Sequence, residues 1–233
     1  MKIAVAAAAA LVSTAACAGD LDNVGSLTQG EFRSLTEDLG AALSYKGVTP
    51  ATPLGVLGWD VGIEVTDTRV EHKDVFSKAG GGSSDIVVPK VHVTIGLPAR
   101  FDIGAFVGGA SQVNATILGG ELRYAMIDDT LTTPAVALRL AGTNASGMGD
   151  VRLYTASLDA MISKRFTVFT PYAGIGTVRI ASSPKNTDLS DETVNRGRGF
   201  IGAQFNFVGA NLAFEAERMG SNTSLSAKLG IRF

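Results

Sequence analysis

Few residues of this chain have side chains that could do chemistry at neutral pH. Only two histidines occur, His72 and His92. His72 lies in a charged stretch near Asp67, Glu71 and Asp74, which predicts a solvated loop or, as an alternative, a loop-borne hydrolytic site. The sequence contains no histidine pair with metal-ligand spacing such as H-E-x-x-H. We therefore expect no metal site and no cofactor.

A larger set of ionisable residues alternates with apolar residues along the chain. This set predicts a lumen charge network and comprises Glu64, Lys90, His92, Glu121, Arg123, Arg139, Asp159, Arg179, Glu215, Glu217, Lys228 and Arg232. Acids and bases nearly balance, which favours mutual pairing. Glu215 and Glu217 point to the same side of one segment. They could form an acid pair or a cation-selective ring, or they could pair with Lys228, Arg232 or Arg123.

The elements that must position these charges have an apolar period of two. From residue 57 onward, ten segments of about ten residues alternate in this way, for example Trp59, Val61, Ile63 and Val65. This period predicts strands with one apolar face. Because the other face carries the charges, we expect a transmembrane barrel with apolar side chains toward lipid and charges in the lumen. The predicted fold is an all-β, antiparallel, up-and-down transmembrane barrel over residues 54–233.

Loops and aromatic residues favour the same architecture. The connections alternate between short and long, and we expect the long polar loops at 67–85 and 181–198, opposite the short turns. With ten strands, the outward aromatic residues gather at the end that holds the short turns, as a girdle at a lipid headgroup level. The predicted girdle consists of Trp59, Phe101, Tyr124, Tyr172, Phe207 and Phe233.

Three stretches of the sequence resemble segments of known proteins. The last segment, with Leu229, Ile231 and a terminal Phe233, looks like the C-terminal signal that bacterial barrel-assembly machinery recognises. The segments at 119–124 and 171–176 are similar to strands of the small bacterial outer-membrane β-barrel superfamily, which includes the opacity-type proteins. The resemblance covers residues 57–233 and implies an architecture more than an activity.

The first residues predict export. Lys2, an apolar run from Ile3 to Val12 and the small residues around Ala18 are typical of a signal peptide over residues 1–18. An alternative makes Cys17, the single cysteine, the acylated first residue of a lipoprotein. The expected location is the bacterial outer membrane.

The region between the signal peptide and the barrel, residues 19–53, is expected to be a periplasmic segment. Thr28 and Glu31 predict a capping box, and Phe32, Leu35 and Leu39 continue an apolar stripe, so a helix is expected over about 28–46. This helix could plug the barrel or dock on its rim. Rim docking is favoured here, because a lumen filled by charged side chains has little room for a helix.

Function is constrained less than fold. The leading hypothesis is a structural barrel or a narrow pore for small solutes. One alternative is a surface-exposed binding or adhesion protein that acts through loops 67–85 and 181–198, and another is an outer-membrane hydrolase. The expected partners are outer-membrane lipid, the barrel-assembly machinery and an unknown external ligand. A net charge of −2 gives no indication of nucleic-acid binding.

Overall fold

Ten long strands account for most of the chain in the computed structural model, which describes residues 19–82 and 85–233. The predicted signal peptide and Cys17 lie outside the described residues. The strands are β1 Trp59–Arg69, β2 Asp85–Gly96, β3 Phe101–Ala110, β4 Ala115–Ile127, β5 Ala135–Met148, β6 Val151–Ser163, β7 Phe169–Pro184, β8 Glu192–Phe207, β9 Ala210–Met219 and β10 Asn222–Arg232. Two α-helices are described, α1 Gln29–Leu43 and α2 Lys73–Lys78.

The strands form one closed antiparallel barrel. Each strand pairs with its neighbours in the sequence, and β1 pairs with β10, for example Ile63 with Leu229. Because the barrel is closed, no sheet edge is left unpaired. Strands that lie in hydrocarbon need this pairing, since no water is available there to bind free backbone groups. The prediction of a ten-stranded up-and-down barrel is confirmed. We call the end where β1 begins and β10 ends the terminus end, and the opposite end the loop end.

The outer surface of the barrel carries large exposed apolar side chains. Val91, Leu118, Ile175 and Leu229 are each more than half exposed, on four different strands. Most soluble monomers expose only a few hundred square ångströms of contiguous apolar surface. An apolar band around a closed barrel is the surface that lipid covers. Among the described residues, no helix is both long and apolar enough to span a bilayer.

The loops are shorter than the sequence pattern predicts. Strand β7 runs to Pro184 and β8 begins at Glu192, so the predicted loop 181–198 is wrong and the connection covers only 185–191. The other long loop covers 70–84 and contains α2. Polar and glycine residues lengthen the β7–β8 hairpin beyond the apolar band, where strands need no apolar face.

Helix α1 lies inside the barrel, so the prediction of rim docking is wrong. Phe32, Leu35 and Leu39 have no exposed surface, and their neighbours lie on strands around the wall. The chain enters at the loop end, where Gly19 packs beside Gly82, and residues 44–58 lead to β1 at the terminus end. The helix fits because the lumen is lined by apolar and small side chains over the half nearer the loop end.

Candidate functional site

The candidate site is the lumen together with the N-terminal segment that fills it. We call residues 19–54 the plug. In the loop-end half of the lumen, the wall contributes inward apolar side chains from most strands, and they form one buried cluster with the apolar stripe of α1. These wall residues include Ile86, Val88, Phe106, Ile117, Leu153, Val178, Ile180 and Met219. This cluster is therefore packed like the apolar core of a soluble protein.

Small residues let α1 approach the wall closely. Gly40 lies against Ile180 of β7 so tightly that a methyl group at Gly40 would overlap the Ile180 side chain. The neighbouring Ala41 and Ala42 are also buried. By contrast, no atom lies within 4 Å of the position where a side chain at Gly30 would begin. The two glycines of the helix therefore differ, since only Gly40 is required by packing.

The loop-end tip of the plug is held by polar contacts. The predicted capping box is confirmed, with Thr28 accepting from the backbone N–H of Glu31 and Glu31 accepting from that of Thr28. The Glu31 carboxylate also accepts from Nζ of Lys78, at 2.9 Å, which joins the helix to α2. These hydrogen bonds lower the pKa of Glu31 from its ordinary 4.5 to about 2, the backbone N–H of Thr28 having the largest effect. Gln29 exchanges two hydrogen bonds with the backbone of Ser190 in the loop 185–191.

A buried carboxylate fastens the loop 70–84 to the plug. Asp38, on α1, has no exposed surface and accepts from the backbone N–H of His72 at 2.9 Å. Its other oxygen lies 3.2 Å from Nδ1 of the His72 ring, which is 38% exposed. Sequence reasoning placed His72 among nearby loop acids and did not identify Asp38, which is 34 residues away in the chain.

The terminus-end half of the lumen holds the plug as an extended chain. Arginines of the wall donate to its carbonyls, since Nη1 of Arg198 lies 2.7 Å from the Tyr45 oxygen and Nη1 of Arg123 lies 3.2 Å from the Pro50 oxygen. Wall residues also accept from its N–H groups, with Ala51 donating to Oγ of Ser163 at 3.1 Å. An extended segment cannot satisfy its own backbone, so these contacts replace the partners that water would provide.

Buried ion pairs surround this extended chain. Asp159 accepts from Nε of Arg139 at 2.9 Å and from Nε of Arg198 at 2.7 Å. Nζ of Lys46, on the plug, lies 3.4 Å from the Glu217 carboxylate. Plug and wall therefore share one ionic network, in which Asp159 and Glu217 are paired with basic side chains, whereas Glu121 and Glu215 form no ion pair with any described residue.

A second group of charges lies nearer the terminus end. Asp60 is contacted by Nε2 of His92 at 3.1 Å, by Nζ of Lys228 at 3.6 Å and by Nε of Arg232 at 2.9 Å. Arg123 pairs with Asp102 at 2.7 Å. Lys90 pairs with Glu64.

The structure places all but one of the predicted lumen charges inside the barrel. Arg179 is the exception, because it is exposed on the outer face of β7. Sequence reasoning also missed Arg198 and Lys46, both fully buried side chains at the centre of the network. Arg198 was missed because it lay in the predicted polar loop 181–198, so its place in a strand was not recognised. Lys46 was missed because it lies outside the strands, where the period of two does not apply.

Tyr172 is buried in the lumen and is not part of the aromatic girdle. It faces Gly202 on β8, whose missing side chain leaves room for the ring. The other five predicted girdle residues lie near the terminus end, with Phe101 and Tyr124 in contact at 4.7 Å between ring centroids. Phe169 and Phe205, 5.2 Å apart, stand there on β7 and β8, where Tyr172 was expected.

The plug occupies both halves of the lumen. The described residues contain no group of three or more His, Cys, Asp or Glu side chains that could hold a metal ion. Cavities lie at both ends of the lumen among the described residues. One of about 280 Å³ is lined by Pro50, Arg165 and Arg232 at the terminus end, and one of about 350 Å³ by Glu37, His72 and Arg196 at the loop end.

Comparisons with known proteins give likenesses of fold. No family model matches the chain, and no curated protein matches it. The translocator domain of the autotransporter NalP from Neisseria meningitidis is 13% identical, with a TM-score of 0.44 over 88% of this chain and 95% of that chain. Neisserial surface protein A is 11% identical, with a TM-score of 0.35 over 76% and 97%. The outer membrane protein OprG from Pseudomonas aeruginosa is 7% identical, with a TM-score of 0.35 over 79% and 99%.

At these identities the likeness concerns the barrel alone.

Proposed function

We propose that this protein is an outer-membrane barrel that its own plug keeps closed, with a structural role in the membrane rather than continuous passage of solutes. The observation that carries this proposal is the burial of the α1 stripe, because Phe32, Leu35, Leu39 and Leu43 are at most 1% exposed inside the lumen. An α-helix with side chains is about 10 to 12 Å wide. Eight-stranded barrels are already filled by side chains, so ten strands leave room for about one helix and no water path beside it.

The outer surface supports the membrane part of the proposal. Each of the ten strands carries at least one large exposed apolar side chain on its outer face. Leu229 and Ile231 of β10 and Phe233 just after it are exposed at alternate positions, as a segment read by assembly machinery needs to be. We propose outer-membrane lipid and the barrel-assembly machinery as partners on these grounds, with the loop end facing outward from the cell.

The surface-binding alternative loses most of its free area. The loops that would bind an external partner hold the plug instead, through Lys78, His72 and Ser190. The hydrolase alternative keeps the contact between Asp38 and His72, which resembles the orienting half of a catalytic triad. Within the described part of the chain, however, no serine, threonine or cysteine side chain lies within hydrogen-bond distance of His72.

A pair of substitutions in α1 tests whether the plug closes the barrel. Gly40→Leu adds a side chain where Ile180 already fills the space, so we expect it to displace the helix. Gly30→Leu adds the same side chain to the same helix where space is open. Folded wild-type protein in planar bilayers is expected to be silent, Gly40→Leu to show channel openings, and Gly30→Leu to stay silent.

Steady conductance of the wild-type barrel would contradict the proposal. So would a Gly40→Leu barrel that is shown by thiol labelling to have released α1 and yet remains silent. The first result would return the protein to the narrow-pore hypothesis, and the second would mean that the wall alone closes the lumen.

A further inference from the structure

Three strands on one side of the barrel, β6, β7 and β9, each carry an arginine at a similar place on their outer face. On β9 the outward residues Leu212, Phe214 and Ala216 are followed toward the loop end by Arg218. On β7 the first outward charge after the apolar positions is Arg179, and on β6 it is Arg152. We call Arg152, Arg179 and Arg218 the arginine arc. All three are exposed.

The three residues of the arc lie within a limited range of heights near the loop end of the barrel. Arg218 is eight residues from the start of β9 at Ala210, Arg179 is ten from the start of β7 at Phe169, and Arg152 is eleven from the end of β6 at Ser163. With a rise of about 3.3 Å per residue and a strand tilt of about 40°, these positions lie about 20 to 28 Å above the terminus end. The apolar band of such barrels is about 25 Å tall, so the arc stands at its upper border.

The arc lacks ionic partners within the protein. Arg152 and Arg179 have no hydrogen bond or ion pair to any described residue, and Arg218 donates only to the backbone oxygen of Gly220, at 3.2 Å. The outer faces of β6 to β9 contain no acid. Three guanidinium groups therefore face the headgroup level with unused donors.

The opposite membrane border is different. At the terminus end, Arg100 pairs with Asp128 at 3.5 Å, and Lys164 and Arg165 pair with Asp129 at 3.2 and 3.7 Å. The basic residues there are neutralised by the protein's own acids. The basic residues without acidic partners therefore lie at the loop-end border of the apolar band, on the side of the barrel that β6 to β9 form.

We infer that the arginine arc binds the phosphate groups of anionic lipids in the leaflet at the loop end. The guanidinium fork matches a phosphate in a bidentate geometry, which an ammonium or a neutral donor does not. The position fixes the occupant, because the side chains reach outward at headgroup level. This inference concerns the outside of the barrel and does not depend on whether the plug closes the lumen.

Spin-labelled lipids measure the inference directly. The full-length protein is reconstituted in phosphatidylcholine vesicles, and the association of spin-labelled phosphatidic acid is compared with that of spin-labelled phosphatidylcholine. We expect the wild type to prefer phosphatidic acid about five-fold or more, because one basic residue near a charged lipid surface contributes roughly that factor. The preference should shrink in 1 M salt, where screening acts over about 3 Å.

Two matched triple variants assign the effect. Replacing the arc by Arg152→Gln, Arg179→Gln and Arg218→Gln should reduce the preference to about one. The control variant carries Arg100→Gln, Lys164→Gln and Arg165→Gln, which remove the same formal charge at the other border. This control should keep most of the preference for phosphatidic acid. Heat-dependent mobility on gels establishes that each variant is folded, and the three single arc variants serve if the triple variant does not fold.

Three results would overturn the inference. They are a wild type without preference, a control variant that loses as much preference as the arc variant, and an ionised spin-labelled fatty acid that binds as well as phosphatidic acid. The last result would show that the arc attracts negative charge without recognising phosphate. None of these results would change the conductance expected of the closed barrel.

Discussion

The two halves of the lumen hold the same plug by different means. In the loop-end half the plug is a helix, and it contacts apolar side chains such as Ile117 and Ile180. In the terminus-end half it is extended, and buried arginines donate to its carbonyls. A helix satisfies its own backbone hydrogen bonds, whereas an extended chain inside a barrel leaves them open. The conformation of the plug therefore explains why one half of the wall is apolar and the other charged.

This comparison changes the meaning of the lumen charges. Charges in a barrel interior are typical of a water-filled passage. Here Arg198 and Arg123 bind the backbone of the plug, and Lys46 of the plug pairs with Glu217 of the wall. The network is thus an internal interface between two parts of one chain.

The largest expected effect comes from the charged half. Asp159→Asn removes the carboxylate that Arg139 and Arg198 share, leaving two buried guanidinium groups without their main partner. We expect the free energy of unfolding to fall by about 3 to 5 kcal/mol in urea titrations of the micelle-bound barrel. Asp128→Asn, at an exposed pair with Arg100, is the control and should cost about 0 to 1 kcal/mol. Equal losses would mean that the buried network does not stabilise the barrel.

The apolar half should respond to a cavity instead of a lost charge. Leu39→Ala is expected to lower the free energy of unfolding by about 2 to 5 kcal/mol, because Leu39 is fully buried between helix and wall. Leu118→Ala on the lipid-facing surface is the control and should cost much less, since lipid refills the space. If the two variants are equally stable in urea titrations, α1 is not packed in the lumen as described.

A smaller effect is expected where loop and plug meet. Asp38→Asn replaces the buried carboxylate that accepts from the N–H and ring of His72, at a cost of about 1 to 3 kcal/mol. The loss should be local, so amide hydrogen exchange should speed up in residues 70–78 while the strands keep their protection. Uniform loss of protection in the strands would show that Asp38 supports the whole barrel and not the loop.

The smallest effect concerns the exposed start of the helix. Because the pKa of Glu31 is lowered from 4.5 to about 2, its ionised form stabilises the folded helix start above about pH 4.5. That stabilisation is lost as the pH falls from about 4.5 through 2. Amide exchange at residues 28–33, corrected for the intrinsic pH dependence, should rise over this range in the wild type. In the Glu31→Gln variant, the corrected exchange rate of these amides should be the same at every pH in this range. A rise in that variant as large as in the wild type would contradict the assignment to Glu31.

Sequence reasoning was accurate where each face of a strand has one environment. The period of two located ten strands, and it placed Glu121 and Arg139 inside because lipid lies opposite them. On β7 the same rule failed, with Tyr172 assigned outward and Arg179 inward. Its inward face carries Val178 and Ile180, which are apolar because they contact α1. The rule that apolar strand residues face lipid cannot be applied where a helix inside the barrel also needs apolar contacts.

The same reasoning shows what could have predicted the plug. Inward positions such as Ile86, Ile117 and Leu153 are apolar on one half of the wall, and a water-filled lumen would not tolerate them. Such a surface needs an apolar occupant, and the stripe of α1 was the available one. The partner of His72 was not predictable in this way, because Asp38 meets it only after the plug has entered the barrel.

Thiol accessibility is the most direct test of the central claim that the plug occupies the lumen. In a Cys17→Ala background, Leu39→Cys and Gly30→Cys place one thiol in the apolar half and one at the open start of the same helix. A charged, water-soluble maleimide should label Gly30→Cys within minutes and leave Leu39→Cys unmodified until the barrel is unfolded. Rapid labelling of both thiols in the folded barrel would contradict the account.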